Sequence, residues 1–132
     1  MILIDTDVLI DFESYDFDPS KIYTASMLSR AELELGVNRA PNAIERQARQ
    51  ARLATLDTVI GWLPFDRDAS VGYGVVAGGS TVLGARLRNK DALIAGHAYS
   101  LGLTILTRNV SDFAPFSAFV TVATPTLRAL EA

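Results

Sequence analysis

Several of the 15 acidic residues in this 132-residue chain fall where apolar runs stop. Asp5 and Asp7 follow MILI, Glu32 comes shortly after IYTASML, Asp91 opens DALIAGHAYSL, and Asn109 and Asp112 follow LTILT in the stretch TRNVSDF. An apolar run that ends in acids reads as a buried strand leaving the core, and ligands of α/β sheets bind beyond the carboxyl ends of strands. Carboxylates crowded there raise one another's pKa unless a cation sits among them. The chain has no cysteine and one histidine, which excludes disulfides, thiolate zinc sites, multi-histidine metal sites and cysteine nucleophiles. The available donors are oxygens, and magnesium or manganese is the hard divalent ion such donors suit. An ion of that kind lowers the pKa of water and offsets charge on a transferring phosphoryl group.

The positions of these acids depend on the elements that carry them. Met1 to Ile4 predicts a short strand, and Val8 to Phe12 turns into a helix after Asp-Thr-Asp. Ile22 to Leu28 predicts a second apolar element, with helical spacing continuing through Leu33, Leu35 and Val37. Ala43 to Leu63 predicts a long helix on which Arg46, Arg49 and Arg52 form a positive stripe. Leu63-Pro64-Phe65 predicts a brief extended segment, and Asp66 or Asp68 an N-cap for a helix through Ala69, Tyr73 and Val76. The stretch GVVAGGSTVLGARLRNK, residues 74–90, reads as a helix end followed by a loop. Asp91 to Leu101 predicts a helix closed by Gly102. LTILT and FVTVA predict buried strands, and Thr126 to Leu130 a final helical turn.

Strands alternating with helices specify an α/β fold, with a mostly parallel central sheet flanked by helices on both faces. The length suits one domain spanning residues 1–132. No apolar run approaches the roughly 20 residues of a bilayer span, and acids interrupt the first one, so no membrane contact and a cytoplasmic location are expected. A net charge of −3 argues against indiscriminate binding to nucleic acid but permits a local basic patch.

Each acid also has an ordinary structural use. Aspartate after a strand suits a turn or N-cap; of the first pair, Asp5 reads as the ligand and Asp7 as the cap. Ser29-x-x-Glu32 fits a capping box, on spacing alone the better reading of Glu32. Asp91 in a first turn answers the helix dipole, which also favours its ionised form. His97, about two turns further among Ala95, Gly96 and Ala98, reads as a packed structural histidine. Tyr15, Trp62 and Tyr73 read as core or dimer contacts.

The segments LIDTDVLID, SRAELELG and NKDALIAGHAYSLGLTILTRNVSDF resemble, in order and in spacing, the motifs of PIN-domain ribonucleases, most closely the VapC-type toxins of type II toxin–antitoxin systems. The likeness covers nearly the whole chain. It implies a PIN fold and an endoribonuclease dependent on Mg2+ or Mn2+, leaving 5′-phosphate and 3′-hydroxyl ends. Its metal-binding and catalytic acids correspond to Asp5, Glu32, Asp91 and Asp112, with Thr107 and Asn109 supporting them; on this ground Glu32 reads as a ligand. The likeness also implies a homodimer and a cognate antitoxin that covers the site. RNA as substrate makes Arg86, Arg88, Lys90, Arg46 and Arg49 candidates for contact with the phosphate backbone. The chain departs from the pattern at Asp7, where relatives often carry asparagine or serine, and in its glycine-rich region from Gly72 to Arg88.

Two other readings compete. Asp-x-Asp after a first strand also suits a haloacid-dehalogenase-like phosphatase, with Asp5 as nucleophile and Asp7 as acid/base, although Val8-Leu9 replaces the glycine and threonine expected next. The other is a non-catalytic interaction module. A small α/β domain with apolar helix faces is expected to pair as a twofold dimer, here through the helices between Ser29 and Leu63.

Overall fold

A computed structural model of the chain describes residues 1–84 and 88–129. The first half contains β1 (Ile2–Ile4), α1 (Thr6–Ile10), β2 (Tyr15–Asp16), β3 (Tyr23–Ser26), α2 (Met27–Asn38) and α3 (Ala43–Val59). After these come β4 (Gly61–Leu63), α4 (Arg67–Val82), α5 (Asn89–Leu101) and β5 (Thr104–Leu106). The described chain closes with α6 (Val110–Phe113), β6 (Val122–Ala123) and β7 (Thr126–Leu127).

Five strands form one parallel sheet in the order β4-β3-β1-β5-β6. β1 is central: Ile2 pairs with Tyr23 on one side and with Thr104 on the other. Side chains alternate across a strand, and the alternation divides the core in two. Leu3 and Ile105 point into a cluster with Val76, Ile94, Ala95, Phe113 and Phe116 beneath α4 and α5. Their neighbours Ile4 and Leu106 point the other way, into a cluster with Val8, Leu9, Leu33, Leu53 and Leu56 from α1, α2 and α3. Both faces of the sheet are covered, as the apolar runs required.

Four local readings are corrected. The glycine-rich stretch holds more helix than a helix end, because α4 continues to Val82; residues 85–87 of the predicted loop lie outside the described residues. The reason is tertiary: α4 packs along α5, and a Cβ at Gly72 would collide with the Gly96 carbonyl, so close approach of two backbones selects glycine there. The α3 helix stops at Val59, not Leu63, and the extended segment is Gly61–Leu63, paired with β3. Helix α2 begins two residues before Ser29, at Met27: Ser26 is its N-cap, accepting from the Leu28 amide at 3.1 Å. Ser29 is therefore inside the helix, fully buried, and the capping box with Glu32 does not form. Finally, in place of a helical turn from Thr126 to Leu130, Thr126–Leu127 is a strand antiparallel to β2, and Leu130 lies outside the described residues.

Other expectations hold. Asp66 caps α4 through the Ala69 amide, and Gly102 ends α5 in the left-handed region at φ 65°. Tyr15 is buried in the core, while Tyr73 packs against the cluster on the other face. His97 is buried, with its Nδ1 2.9 Å from Ser26 Oγ and its ring edge-on to Phe65. Burial holds its pKa below the ordinary histidine value, against the pull of Asp66. Among the described residues no helix is long and apolar enough to cross a membrane.

Candidate active site

Asp5 sits where β1 gives way to α1, and neither of its oxygens is idle. Its Oδ1 accepts from the Thr6 amide at 2.9 Å, and its Oδ2 accepts from the Thr107 hydroxyl at 3.0 Å. Its own amide donates to the Leu106 carbonyl at 2.9 Å, which fixes the backbone to β5. Asp5, rather than Asp7, is the N-cap of α1. Asp7 reaches across to the chain leaving β5, where its Oδ2 accepts from Asn109 Nδ2 at 2.9 Å and from the Arg108 amide at 3.2 Å. Thr107 is fully buried and accepts the Asn109 amide at 3.1 Å. Thr107 and Asn109 thus tie the first strand's acids to the loop after β5.

The other acids come from three helices. Asp91 is in the first turn of α5, Asp112 in the first turn of α6, and Glu32 extends from α2. Asp5, Asp91, Asp112 and Asn109 line one cavity of about 400 Å³, together with Asp7, Arg88 and Lys90. Glu32 opens onto an adjoining groove of about 480 Å³ that shares Asp7 and Lys90 with the cavity. Parts of the chain far apart in sequence therefore meet at one edge of the sheet, at the carboxyl ends of β1 and β5.

Burial is the main influence on this cluster. It pushes the Asp5 pKa up to about 6, helped by the charge on Asp7 and less by Asp91, while the bonds from Thr107 and Thr6 oppose the rise. Asp91 is raised as well, by burial and then by Asp112; Arg88 and Lys90 pull it back. Burial works against the Lys90 ammonium, yet its bond to Glu32 and the charges of Glu32, Asp5 and Asp91 hold its pKa above the usual lysine value.

The two cations are in contact with the acids. Lys90 Nζ pairs with Glu32 Oε2, and an Arg88 guanidinium nitrogen lies 3.4 Å from Asp112 Oδ2. With these pairs in place, no three carboxylate or imidazole groups among the described residues converge closely enough to hold a metal ion. In kind, however, the donors fit a hard divalent cation: all are oxygens, and the carboxyl groups raised in pKa are short of positive charge.

The structure sorts the remaining basic residues. Arg86 lies outside the described residues. Arg46 donates to Asn38 Oδ1 at 3.2 Å, and Arg49 to the Gly36 carbonyl at 2.7 Å, so both fasten α3 to α2. Arg49 also lines the groove beside Glu32, which Arg46 does not. Sequence reasoning passed over Arg108, whose guanidinium pairs with Asp11 at 2.6 Å and closes the loop over α1. Its place directly after the Thr107 that ends LTILT was the signal available.

No family model matches the chain, and no curated protein matches its sequence. Solved structures do match over almost its full length. VapBC-5 from Mycobacterium tuberculosis, a member of the VapBC family of toxin-antitoxin systems, is 27% identical at a TM-score of 0.77, covering 96% of this chain and 98% of that one. FitAcB from Neisseria gonorrhoeae is also 27% identical, with a TM-score of 0.74 over 92% of this chain and 96% of that one. VapBC2 from Rickettsia felis, bound to a DNA fragment from its promoter, has the same fold at 18% identity: its TM-score is 0.79, over 95% and 99% of the two chains. With the parallel sheet and the order of its motifs, these likenesses give the chain the PIN-domain fold and support a likeness to the VapC-type toxins.

Proposed function

We propose that residues 1–132 form one PIN domain that acts as the toxin of a toxin–antitoxin pair, an endoribonuclease dependent on magnesium or manganese. The observation that supports this reading most directly is the gathering of Asp5, Asp91 and Asp112 into one cavity, with Glu32 at its border. These four acids would hold the metal. A divalent ion held there supplies an activated water and neutralises charge at the phosphorus undergoing hydrolysis.

The chain's own residues set the geometry. Thr107 and Thr6 fix the two oxygens of Asp5, so that this acid does not have to reorganise when substrate arrives. Asp7 and Asn109 hold the loop that carries Asp112 against α1. Arg88 and Lys90 stand at the mouth of the cavity, where an RNA phosphate would approach. No side chain is needed as a nucleophile. The phosphatase alternative loses ground at Asp7, whose Oδ2 is engaged by the Asn109 and Arg108 bonds that tie it to the loop after β5.

The partners follow from the same reading: RNA as substrate, a second copy of the chain, and an antitoxin with a tail that covers the acids, all in the cytoplasm. The test is cleavage of cellular RNA after brief induction, with ends mapped by sequencing and Asp5→Asn as control. Defined cuts with 5′-phosphate ends, absent in the control, are expected. With purified protein, cleavage should require Mg2+ or Mn2+, and Asp5→Asn, Glu32→Gln, Asp91→Asn and Asp112→Asn should each reduce it by about 100-fold or more while the circular-dichroism spectrum is unchanged. Full cleavage in chelator would rule the mechanism out.

A further inference from the structure

Two cations placed two residues apart grip two of the site's acids. Arg88 precedes α5 and Lys90 lies in its first turn, on either side of Asn89 and directly before the buried Asp91. Arg88 turns to Asp112 on α6, and Lys90 turns to Glu32 on α2. The start of α5 therefore carries two positive arms just before a buried acid, each arm holding a carboxylate from a different helix. Both arms line the cavity, and Lys90 lines the adjoining groove as well.

The exposure of the partners is unequal. The side chains of Arg88 and Lys90 are 74% and 60% exposed, whereas Asp112 and Glu32 are 33% and 24% exposed. The acids are the more buried partners; the cations are long, solvated arms. Ion pairs with such exposed members are weak, and a divalent ion competing for the same carboxylate oxygens carries twice the charge of an ammonium. With Glu32 on Lys90 and Asp112 on Arg88, no three acids converge among the described residues.

We propose that Lys90, assisted by Arg88, is a built-in counter-ion of the acidic site, which holds Glu32 while no divalent cation is bound and is displaced when one enters. The inference rests on the metal-dependent reading above and adds to it a regulation of the same site. The chain becomes its own weak competitor for metal, and the pocket does not stand as a set of bare repelling carboxylates when metal is scarce. Once displaced, both arms are free at the mouth of the cavity to meet the phosphates of RNA.

The experiment uses the full chain stripped of metal. Lys21 and Lys90 are the two lysines of the sequence, and Lys21 is exposed and serves as an internal reference. Brief acylation, quantified by mass spectrometry, should find Lys90 protected relative to Lys21 without metal, and several-fold more reactive once Mg2+ saturates the site. In parallel, Mn2+ binding followed by electron paramagnetic resonance should tighten about twofold to fivefold in Lys90→Met, tighten less in Arg88→Met, and stay near wild type in Lys90→Arg. Unchanged Lys90 reactivity under saturating Mg2+, or equal Mn2+ affinity in wild type and Lys90→Met, would overturn the counter-ion role and leave the metal site standing. Failure of both proteins to bind Mn2+ would overturn the metal site as well.

Discussion

The Thr107 hydroxyl lies 3.0 Å from Asp5 Oδ2 and 3.2 Å from Asp7 Oδ2, and it has one proton to give. The shorter contact, to the more buried acid, takes it, leaving Asp7 to the amides of Arg108 and Asn109. Thr107→Val removes that donor without changing shape. It should destabilise the fold by about 1–3 kcal/mol, raise the Asp5 pKa further and weaken Mn2+ binding. Thermal melting and Mn2+ titration of the same preparation check this; an unaltered affinity would mean that Asp5 needs no help from β5.

The raised pKa of Asp5 has a signature in stability. A carboxyl group whose folded-state pKa, about 6, exceeds its ordinary value of 3.8 binds its proton more tightly when folded. Stability is therefore lost as pH rises from about 4 to about 6, by up to about 3 kcal/mol in metal-free protein. His97 acts in the opposite sense: its lowered pKa makes protonation below its ordinary value of 6.5 favour unfolding. The histidine is common to wild type and Asp5→Asn, so their difference isolates Asp5. In chelator, Asp5→Asn should melt above wild type at pH 7.5, and the gap should shrink at pH 4.5. Mg2+ should raise the melting temperature of wild type much more than that of the variant.

The glycines of α4 and α5 should separate into two classes. A Cβ at Gly74 or Gly78 would meet nothing within 4 Å, so Gly74→Ala and Gly78→Ala should stabilise the helix by about 0.5–1 kcal/mol each. A Cβ at Gly72 or at Gly96 would enter the backbone of the facing helix. Gly96→Ala should destabilise by about 1–3 kcal/mol despite its better helix propensity. Chemical denaturation of the three proteins decides, and a neutral Gly96→Ala would mean that α4 and α5 do not pack this closely.

If an antitoxin covers the acids by presenting an arginine to them, it competes with the divalent ion for the same oxygens. Inhibition should then weaken as Mg2+ rises, and weaken again when that arginine is changed to alanine. A titration of antitoxin at several Mg2+ concentrations measures both effects. Inhibition indifferent to metal and to the arginine would place the block at RNA access instead.

The strand ends were legible because an apolar run that stops at an acid is a local pattern, and β1, β5 and the acids beyond them depend on little else. Gly102 and Asp66 were legible for the same reason, each being a cap read from its own neighbours. The errors share a different cause. The run of glycines after Gly72 suggests an early helix end until Gly96 is seen across from Gly72, and these two meet through tertiary packing. Ser26 and Ser29 are both able to start a helix, and the choice between them was made by where β3 had to end beside β1. Thr126–Leu127 became a strand because Tyr15–Asp16 was there to receive it. At the candidate site, residue type singled out acids that the fold gathers, but the pairing of Lys90 with Glu32 and of Arg88 with Asp112 is a property of helices meeting, which no spacing in the sequence announces.

The central place of β1 also sets the order in which a chain growing from its N-terminus becomes complete. Once residues 1–63 have been made, β1, β3 and β4 have their partners, while the other edge of β1 waits for β5 at Thr104–Leu106. Pairings so distant in sequence form slowly, and until this one forms, a nascent chain exposes an unpaired strand edge. The same event delivers Thr107 to Asp5 and brings Asp112 to the cavity. Translation therefore releases the acid cluster late and all at once, so a chain interrupted before residue 104 carries Asp5 and Glu32 with no assembled site around them.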